Sequence, residues 1–274
     1  MPSGAKDIVA NRLRLSVAQK LRLLLKTFRE NGFIWTWHLA VYYLSSGMAT
    51  RSYEKLQWRK LKKGLPGLSS LDANKHIWEH WDWKAEGEEW TLSPAWKDSL
   101  IRHVLCRYIR PGGDVLEIGP GAGRWTGALI ERAGTLRAVD VAESSVQICR
   151  KKFNGRPGIS FLVGNGKDLS GILDGSVDAV WSFDVFVHIN AAESAAYVRE
   201  LRRVMRPGAV AVIHHGKSGG FEGGWRSNLT SEAFHEMLHA EGFSLLNAFQ
   251  SWQDNGKEYS VGVYNDEITV FGLP

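Results

Sequence analysis

Between Ile8 and Phe28 the apolar residues Val9, Leu13, Val17, Leu21, Leu24 and Phe28 recur every three to four positions, with Arg12, Lys20, Arg22, Lys26 and Arg29 among them. That period predicts a basic amphipathic helix. The run Phe33–Leu44 that follows is apolar throughout and rich in Trp and Tyr, but its twelve residues are too few to span a bilayer, which takes about 20. It reads either as an in-plane membrane anchor or as a helical hairpin packed on the core or on a second subunit. Residues 60–70, with Gly64, Pro66, Gly67 and two serines, predict a linker. They divide a helical extension over 1–70 from a domain over 71–274.

From Pro111 onward short apolar runs alternate with amphipathic segments. Strands are expected at 114–119, 135–140, 159–163, 177–182 and 209–214, and helices near 124–133, 143–153, 191–205 and 230–241. Strict alternation of strand and helix implies right-handed crossovers and a mostly parallel α/β sheet. Near the end, Phe243 to Trp252 and Tyr259 to Phe271 are two strands with no helix between them, separated by Asp254-Asn255-Gly256. This predicts a C-terminal antiparallel hairpin.

Charge sharpens the division of the chain. Residues 1–70 hold thirteen Lys or Arg against Asp7, Glu30 and Glu54, so they carry +10 while the whole chain carries +5. A local basic patch suits an anionic membrane surface over 1–45, or another phosphate or acidic glycan, and nothing in the core suggests a nucleic-acid partner. Only Cys106 and Cys149 occur, which excludes a disulfide scaffold and points to a reducing, cytoplasmic setting, with a peripheral place at the inner membrane face left open. Five of the twelve tryptophans fall at 78, 81, 83, 90 and 96. Such density over 76–110 is either a lid over a ligand or a packing seam.

The first candidate chemistry lies at the end of the first strand. In Asp114-Val-Leu-Glu-Ile-Gly-Pro-Gly-Ala-Gly-Arg-Trp125 a buried strand breaks into Gly119, Gly121 and Gly123 before a helix begins. Glycine permits the turn and lets a ligand approach the backbone, and the helix offers free N–H groups. A dinucleotide fingerprint needs its third glycine at 124, where Arg124 stands. Asp140 ends the second strand twenty-one residues after Gly119, where a carboxylate can take both hydroxyls of a ribose, although an acid there also serves as an ordinary helix cap.

Together, Glu117-Ile-Gly-Pro-Gly-Ala-Gly123, Asp140, Gly164-Asn-Gly166 and Arg206-Pro-Gly208 resemble the ordered motifs of class I S-adenosylmethionine-dependent methyltransferases. The resemblance runs from about Trp78 to the C-terminus. It implies a Rossmann-like, doubly wound, seven-stranded sheet with S-adenosylmethionine as cofactor, the methionine part held at Glu117, Gly119, Gly121 and Gly123 and the ribose at Asp140. Asn165 stands where the family often has an acid near the adenine; its carbonyl can accept the same bond, with Gly166 beside it, Asp168 in reserve and Phe183 adjoining the cofactor.

Sites in such sheets lie at the carboxyl ends of the strands. The fourth strand leads into Asp184 and His188, and the fifth ends in His214-His215. His188, His215 and Asp184 are therefore the candidate catalytic groups, with His188 as general base for a hydroxyl acceptor. His188 reads equally as a packed core residue. His214, Trp225, Arg226 and Asn228 are candidates for binding the acceptor, Arg226 through a carboxylate or phosphate. No His, Asp or Glu spacing indicates a metal. The Trp-rich lead-in, the His pair and Gly-Trp-Arg-Ser-Asn resemble a bacterial subgroup tied to surface polysaccharide biosynthesis, which implies a sugar hydroxyl of a glycan or glycolipid precursor as acceptor. The alternatives are N- or C-methylation of a small metabolite or quinone, and a catalytically silent cofactor-binding module that recruits partners through residues 1–70. A homo-oligomer through 33–44 also stays open.

Overall fold

The computed structural model describes residues 15–45, 48, 50–220 and 226–274. Three helices come first: α1 (Val17–Asn31), α2 (Phe33–Leu44) and α3 (Thr50–Lys63). Ser16 caps α1 in a reciprocal box with Gln19, and Gly32, at φ 78°, ends it and turns the chain straight into α2. The part of the expected first helix that precedes residue 15 lies outside the described residues. Trp35, Leu39, Leu56 and Leu68 form a small core of their own beneath these helices.

The stretch expected as a linker is instead a packed strap. Lys60–Lys63 continue α3, and Gly67, Leu68 and Ser69 are buried in a short 3-10 turn. The Asn31 side chain accepts from the Gly67 amide at 2.7 Å and donates to its carbonyl at 3.3 Å. Gly67 sits at φ 61°, a left-handed conformation that glycine adopts without cost. Glycine and proline marked a turn correctly, but polar satisfaction of that turn comes from the protein rather than from water.

Helix α4 (Leu71–Glu79) and two 3-10 turns carry the tryptophans, and α5 (Pro94–Leu100) runs on through a π turn to Tyr108. The sheet then begins: β1 (Asp114–Ile118), α6 (Thr126–Ile130), β2 (Thr135–Asp140), α7 (Glu143–Lys152), β3 (Ile159–Val163), β4 (Val177–Phe186), α8 (Ala191–Val204), β5 (Met205–Gly216) and α9 (Ser231–Ala240). The last strands are β6 (Ser244–Phe249), β7 (Ser251–Asp254), β8 (Lys257–Ser260) and β9 (Asp266–Gly272).

Seven strands form one sheet in the order β3-β2-β1-β4-β5-β9-β6, parallel except where β9 enters between β5 and β6. The alternation of side chains assigns each strand residue to one of two layers. Leu116, Val180, Ala211 and Ile213 pack against α8 and α9, whereas Val115, Trp181 and Val212 pack against α5 and Trp125. The strand order reverses between β1 and β4, the crevice where ligands of such sheets bind.

Two features differ from expectation. The C-terminal hairpin is split, because β7 and β8 form a separate ribbon around Asn255 and Gly256, both at positive φ, while β6 and β9 join the main sheet. Arg102 and His103 hold that ribbon through Asp254, at 2.5 and 2.9 Å. The second difference is that β4 runs four residues further than its hydrophobic pattern indicates. Its pairing with β5 slips between Ser182 and Phe186, and within that irregularity Asp184 adopts φ 61°. A bulge of this kind re-aims a side chain. No helix among the described residues is long and apolar enough to cross a membrane.

Candidate active site

A cavity of about 250 Å³ opens where β1, β2, β4 and β5 end, and it brings together Gly119, Gly121, Asp140, Asp184, His188 and His214. The glycine turn forms its floor. Gly119, Gly121 and Gly123 all have positive φ, and a Cβ would lie 2.3 Å from Val185 at the first and 2.6 Å from Phe153 at the third. At Gly121 a Cβ would come within 2.9 Å of the Trp83 ring, so the close approach there is toward the cavity and its aromatic wall.

Asp140 lies beside this turn. Its two carboxylate oxygens accept from the Gly121 amide at 3.0 Å and the Ala142 amide at 2.9 Å. Burial pushes its pKa up to about 6 against the pull of those backbone donors. Each oxygen retains a lone pair, so the group can still receive hydroxyls from a ligand. Glu117 stands behind the turn rather than in the cavity. Its carboxylate accepts the Thr126 hydroxyl at 2.7 Å, and burial raises its pKa to about 8.

The opposite side of the cavity holds two ion pairs joined through a histidine. Arg124 Nη1 meets Asp184 Oδ2 at 2.5 Å, Asp184 Oδ1 lies 3.0 Å from His214 Nδ1, and His214 Nε2 lies 3.5 Å from Asp266 Oδ2. Asp266 in turn pairs with Arg226. The Arg124 guanidinium also rests 4.7 Å from the Trp125 ring centroid, a cation–π contact that holds it in place. Burial pushes the Asp184 carboxyl up, but hydrogen bonding from His214 and the Arg124 charge outweigh it and hold the group far below the carboxylate range. Burial lowers the His214 pKa, with Asp184 pulling it back.

The His214 Nδ1 atom faces two partners, the Asp184 carboxylate and, at 3.2 Å, the Asp184 backbone N–H. The ionised carboxylate is the stronger partner. The proton therefore belongs on Nδ1, which leaves Nε2 with its lone pair and without a hydrogen bond among the described residues. Phe183 stacks on the same ring, 4.2 Å between centroids and 15° between planes.

Aromatic rings wall the cavity. Trp78, Trp83 and Trp90 line it, and Trp81 stacks on Trp90 at 5.3 Å. His188 meets the edge of Trp78 at 5.2 Å, and its carbonyl accepts from Asn74 Nδ2 at 2.7 Å. Trp96 lines the cavity too, but it is buried against Trp125 and Phe183, its indole donating to the Ser260 carbonyl.

Several expected site residues fall elsewhere. His215 points to the far face of the sheet, against Phe234 and His235, because neighbours on a strand face opposite ways. Asp184 partners His214, not His188, since it lies in a strand bulge rather than on a helix where residues four apart would meet. Asn165 is exposed and its carbonyl oxygen accepts the Lys167 and Asp168 amides, a local turn that occupies the atom expected to meet an adenine. Asp168 receives the Asn165 amide in that turn, and Gly166 alone of the three lines the cavity. Asn228 fastens the Ala191 amide at the start of α8. Trp225 lies outside the described residues. Arg124 and Asp266 were missed: Arg124 was visible as the residue replacing a third glycine, whereas Asp266 has no local signal.

A glycine turn and a carboxylate thus flank the reversal of strand order, as the resemblance to class I S-adenosylmethionine-dependent methyltransferases implies. Residues 116–213 match the family model described as a methyltransferase domain. A ubiquinone biosynthesis O-methyltransferase of Xanthomonas campestris pv. campestris is 26% identical over 146 residues, 53% of this chain and 59% of that protein. Ribosomal RNA small subunit methyltransferase A of Geobacter sulfurreducens is 41% identical over 58 residues, 21% of each chain. The chain thus spans less than two thirds of the length of these relatives. Among solved structures, the PH0226 protein of Pyrococcus horikoshii OT3 aligns with a TM-score of 0.53 at 18% identity, covering 67% of this chain and 93% of that one.

The buried Glu117 generates a pH prediction. Its native pKa, about 8, lies above that of an unfolded Glu, about 4.3, so the native state binds a proton that the unfolded state has released. Stability without ligand therefore falls as pH rises from about 4 to 8, by up to about 1.4 kcal/mol per pH unit from this group. Denaturant unfolding of Glu117→Gln is expected to show a flatter profile over that window; an unchanged slope would mean that Glu117 is ionised in its native setting.

Proposed function

We propose that this chain transfers the methyl group of S-adenosylmethionine to a hydroxyl of a small, flat, aromatic acceptor. The observation that carries the reading is the Asp184–His214 pair, placed in an aromatic-walled cavity that also contains the glycine turn and Asp140. The residues fit the cofactor: Asp140 keeps lone pairs for a ribose diol, and the buried Arg124 Nη2, which has no hydrogen bond among the described residues, suits a carboxylate. When bound, the cofactor supplies a methyl group on a positively charged sulfur.

His214 Nε2 would take the proton of the acceptor hydroxyl, whose oxygen would receive the methyl group that the bound cofactor would supply, the carbon–sulfur electron pair staying with the sulfur. Asp184 orients the ring and stabilises the imidazolium that forms. Arg124, Trp125 and Phe183 hold Asp184 and His214 in place. Exclusion of water by the tryptophan wall strengthens these electrostatic effects. His188, against Trp78, contributes to the acceptor wall, and Arg226 with Asp266 closes the far end. The name of the Xanthomonas relative supports an oxygen acceptor. A sugar hydroxyl is the second reading, favoured by the indole rings of Trp78, Trp83 and Trp90, which suit the apolar faces of a pyranose.

Turnover with catechols and quinol precursors, and little with lipid-linked sugars, is the expected result of an acceptor panel read by mass spectrometry. His214→Gln is expected to lower kcat by about 10²–10⁴ while leaving S-adenosylhomocysteine affinity within a few fold. A variant with full kcat would remove His214 as base, and turnover confined to sugars would replace the aromatic reading with the second one.

The proposal extends to where the protein works. Helix α1 is amphipathic but faces the reverse of the usual way, since its buried residues are Thr27 and Asn31 whereas Val17, Leu21 and Leu25 are 76%, 56% and 59% exposed. Phe28, Phe33, Ile34 and Trp37 continue the exposed surface, and Lys20, Arg22, Lys26 and Arg29 lie on the same helix. An apolar strip edged by cations matches an anionic lipid surface. Co-sedimentation with vesicles containing phosphatidylglycerol is expected at low salt, reduced by added salt and by Leu21→Glu with Leu25→Glu. Failure to bind at low salt, together with a concentration-dependent dimer, would assign the face to a second copy.

A further inference from the structure

We propose that His215, His235 and Glu267 bind one divalent transition-metal ion, zinc by their donor chemistry, on the face of the sheet opposite the cavity. The three contribute ligand atoms that all lie within 4.8 Å of one another. Glu267 Oε1 stands 3.4 Å from His235 Nε2 and 3.9 Å from His215 Nε2. A tetrahedral ion with bonds of about 2.0–2.1 Å holds its donors about 3.3 Å apart. Of the three donor pairs, one is already at that spacing, the second lies about half an ångström beyond it, and the two imidazoles lie within 4.8 Å of each other.

The protonation pattern favours a ligand role. His215 Nδ1 lies 2.9 Å from the Gly216 carbonyl, which keeps the proton on Nδ1 and presents Nε2 as a lone pair. Metal-bound histidines are oriented in this manner. Without an ion, Thr269 Oγ1 bridges the two imidazoles, 2.7 Å from His215 and 3.1 Å from His235. That bridge accounts for the histidines but not for the acid. Glu267 is 7% exposed, and its Oε1 is buried with no hydrogen bond among the described residues. A buried carboxylate oxygen that makes no hydrogen bond is costly, and an ion between it and the two imidazoles lowers the cost.

Lys217 Nζ lies 3.8 Å from the other carboxylate oxygen, so Oε1 is the atom left to the metal. Two imidazoles and one carboxylate suit zinc and leave a fourth position for water. His235, with its side chain 29% exposed, provides the way in. His215 and Glu267 are register partners across β5 and β9, and α9 supplies His235. An ion here clasps the two strands whose adjacent residues, His214 and Asp266, enter the cavity from the other face.

The test uses the full chain, stripped with chelator and then titrated with Zn²⁺ and, separately, Co²⁺. The expected result is uptake of one equivalent, a visible Co²⁺ absorption band of four-coordinate character, and a higher Tm with Zn²⁺. His235→Ala and Glu267→Gln, each checked for folding by its metal-free Tm, are expected to lose both the band and the Tm shift. No saturable uptake by the unmodified chain, or unchanged uptake in both folded variants, overturns the proposal. The cavity plays no part in these readouts, so methyl transfer can fail or succeed independently.

Discussion

Burying Arg124, Asp184, His214, Asp266 and Arg226 together is the constraint around which the rest of this molecule is arranged. Each comes from a different segment: the exit of the glycine turn, β4, β5, β9 and the chain after residue 225. An isolated buried charge is prohibitively costly, whereas charges that alternate and share hydrogen bonds are tolerated. Arg124 with Asp184 and Arg226 with Asp266 form two ion pairs of this kind, and the neutral His214 ring stands between them. It also explains why β4 carries an irregularity. A regular strand would not aim Asp184 at both Arg124 and His214, and the positive φ of Asp184 is local strain compensated by those partners.

The local signals in the sequence were those with a short period. Hydrophobic alternation located β2 and β3 at their observed ends, and the glycine turn and Asp140 were readable because their chemistry is carried within one strand–turn–helix unit. What sequence could not supply was parity and register. His214 and His215 are adjacent and chemically equal, and only the direction of β5 decides that the first enters the cavity and the second meets α9. Asp184 was read beside His188 from a spacing of four, which brings residues together on a helix but not in a bulged strand. Asp266 reaches the site from a strand inserted antiparallel between β5 and β6, a long-range event with no local mark. Asn165 was read from its motif alone, and its carbonyl oxygen accepts two amides of its own turn.

The accessory segments follow from the same geometry. Tryptophans from the lead-in form one wall of the cavity, and Ser69, Leu71 and Asn74 link that wall to the strap beneath α1. The N-terminal helices pack on that strap and turn an apolar, basic surface outward. Such a placement suits an acceptor drawn from a lipid phase. It also explains how α1 can have a strong hydrophobic period and still bury polar residues: Asn31 holds it to the strap at Gly67, and its apolar side stays exposed.

The central claim is a methyltransferase cofactor site at the glycine turn and Asp140. Calorimetric titration with S-adenosylmethionine and S-adenosylhomocysteine, repeated on Asp140→Ala, tests it most directly. The account predicts one saturable site for both ligands, weakened by about tenfold or more when the carboxylate is removed, as expected for loss of about 1.4 kcal/mol or more from hydrogen bonds to a charged group. Folded protein that binds neither ligand, or an Asp140→Ala variant with unchanged affinity for both, would contradict it.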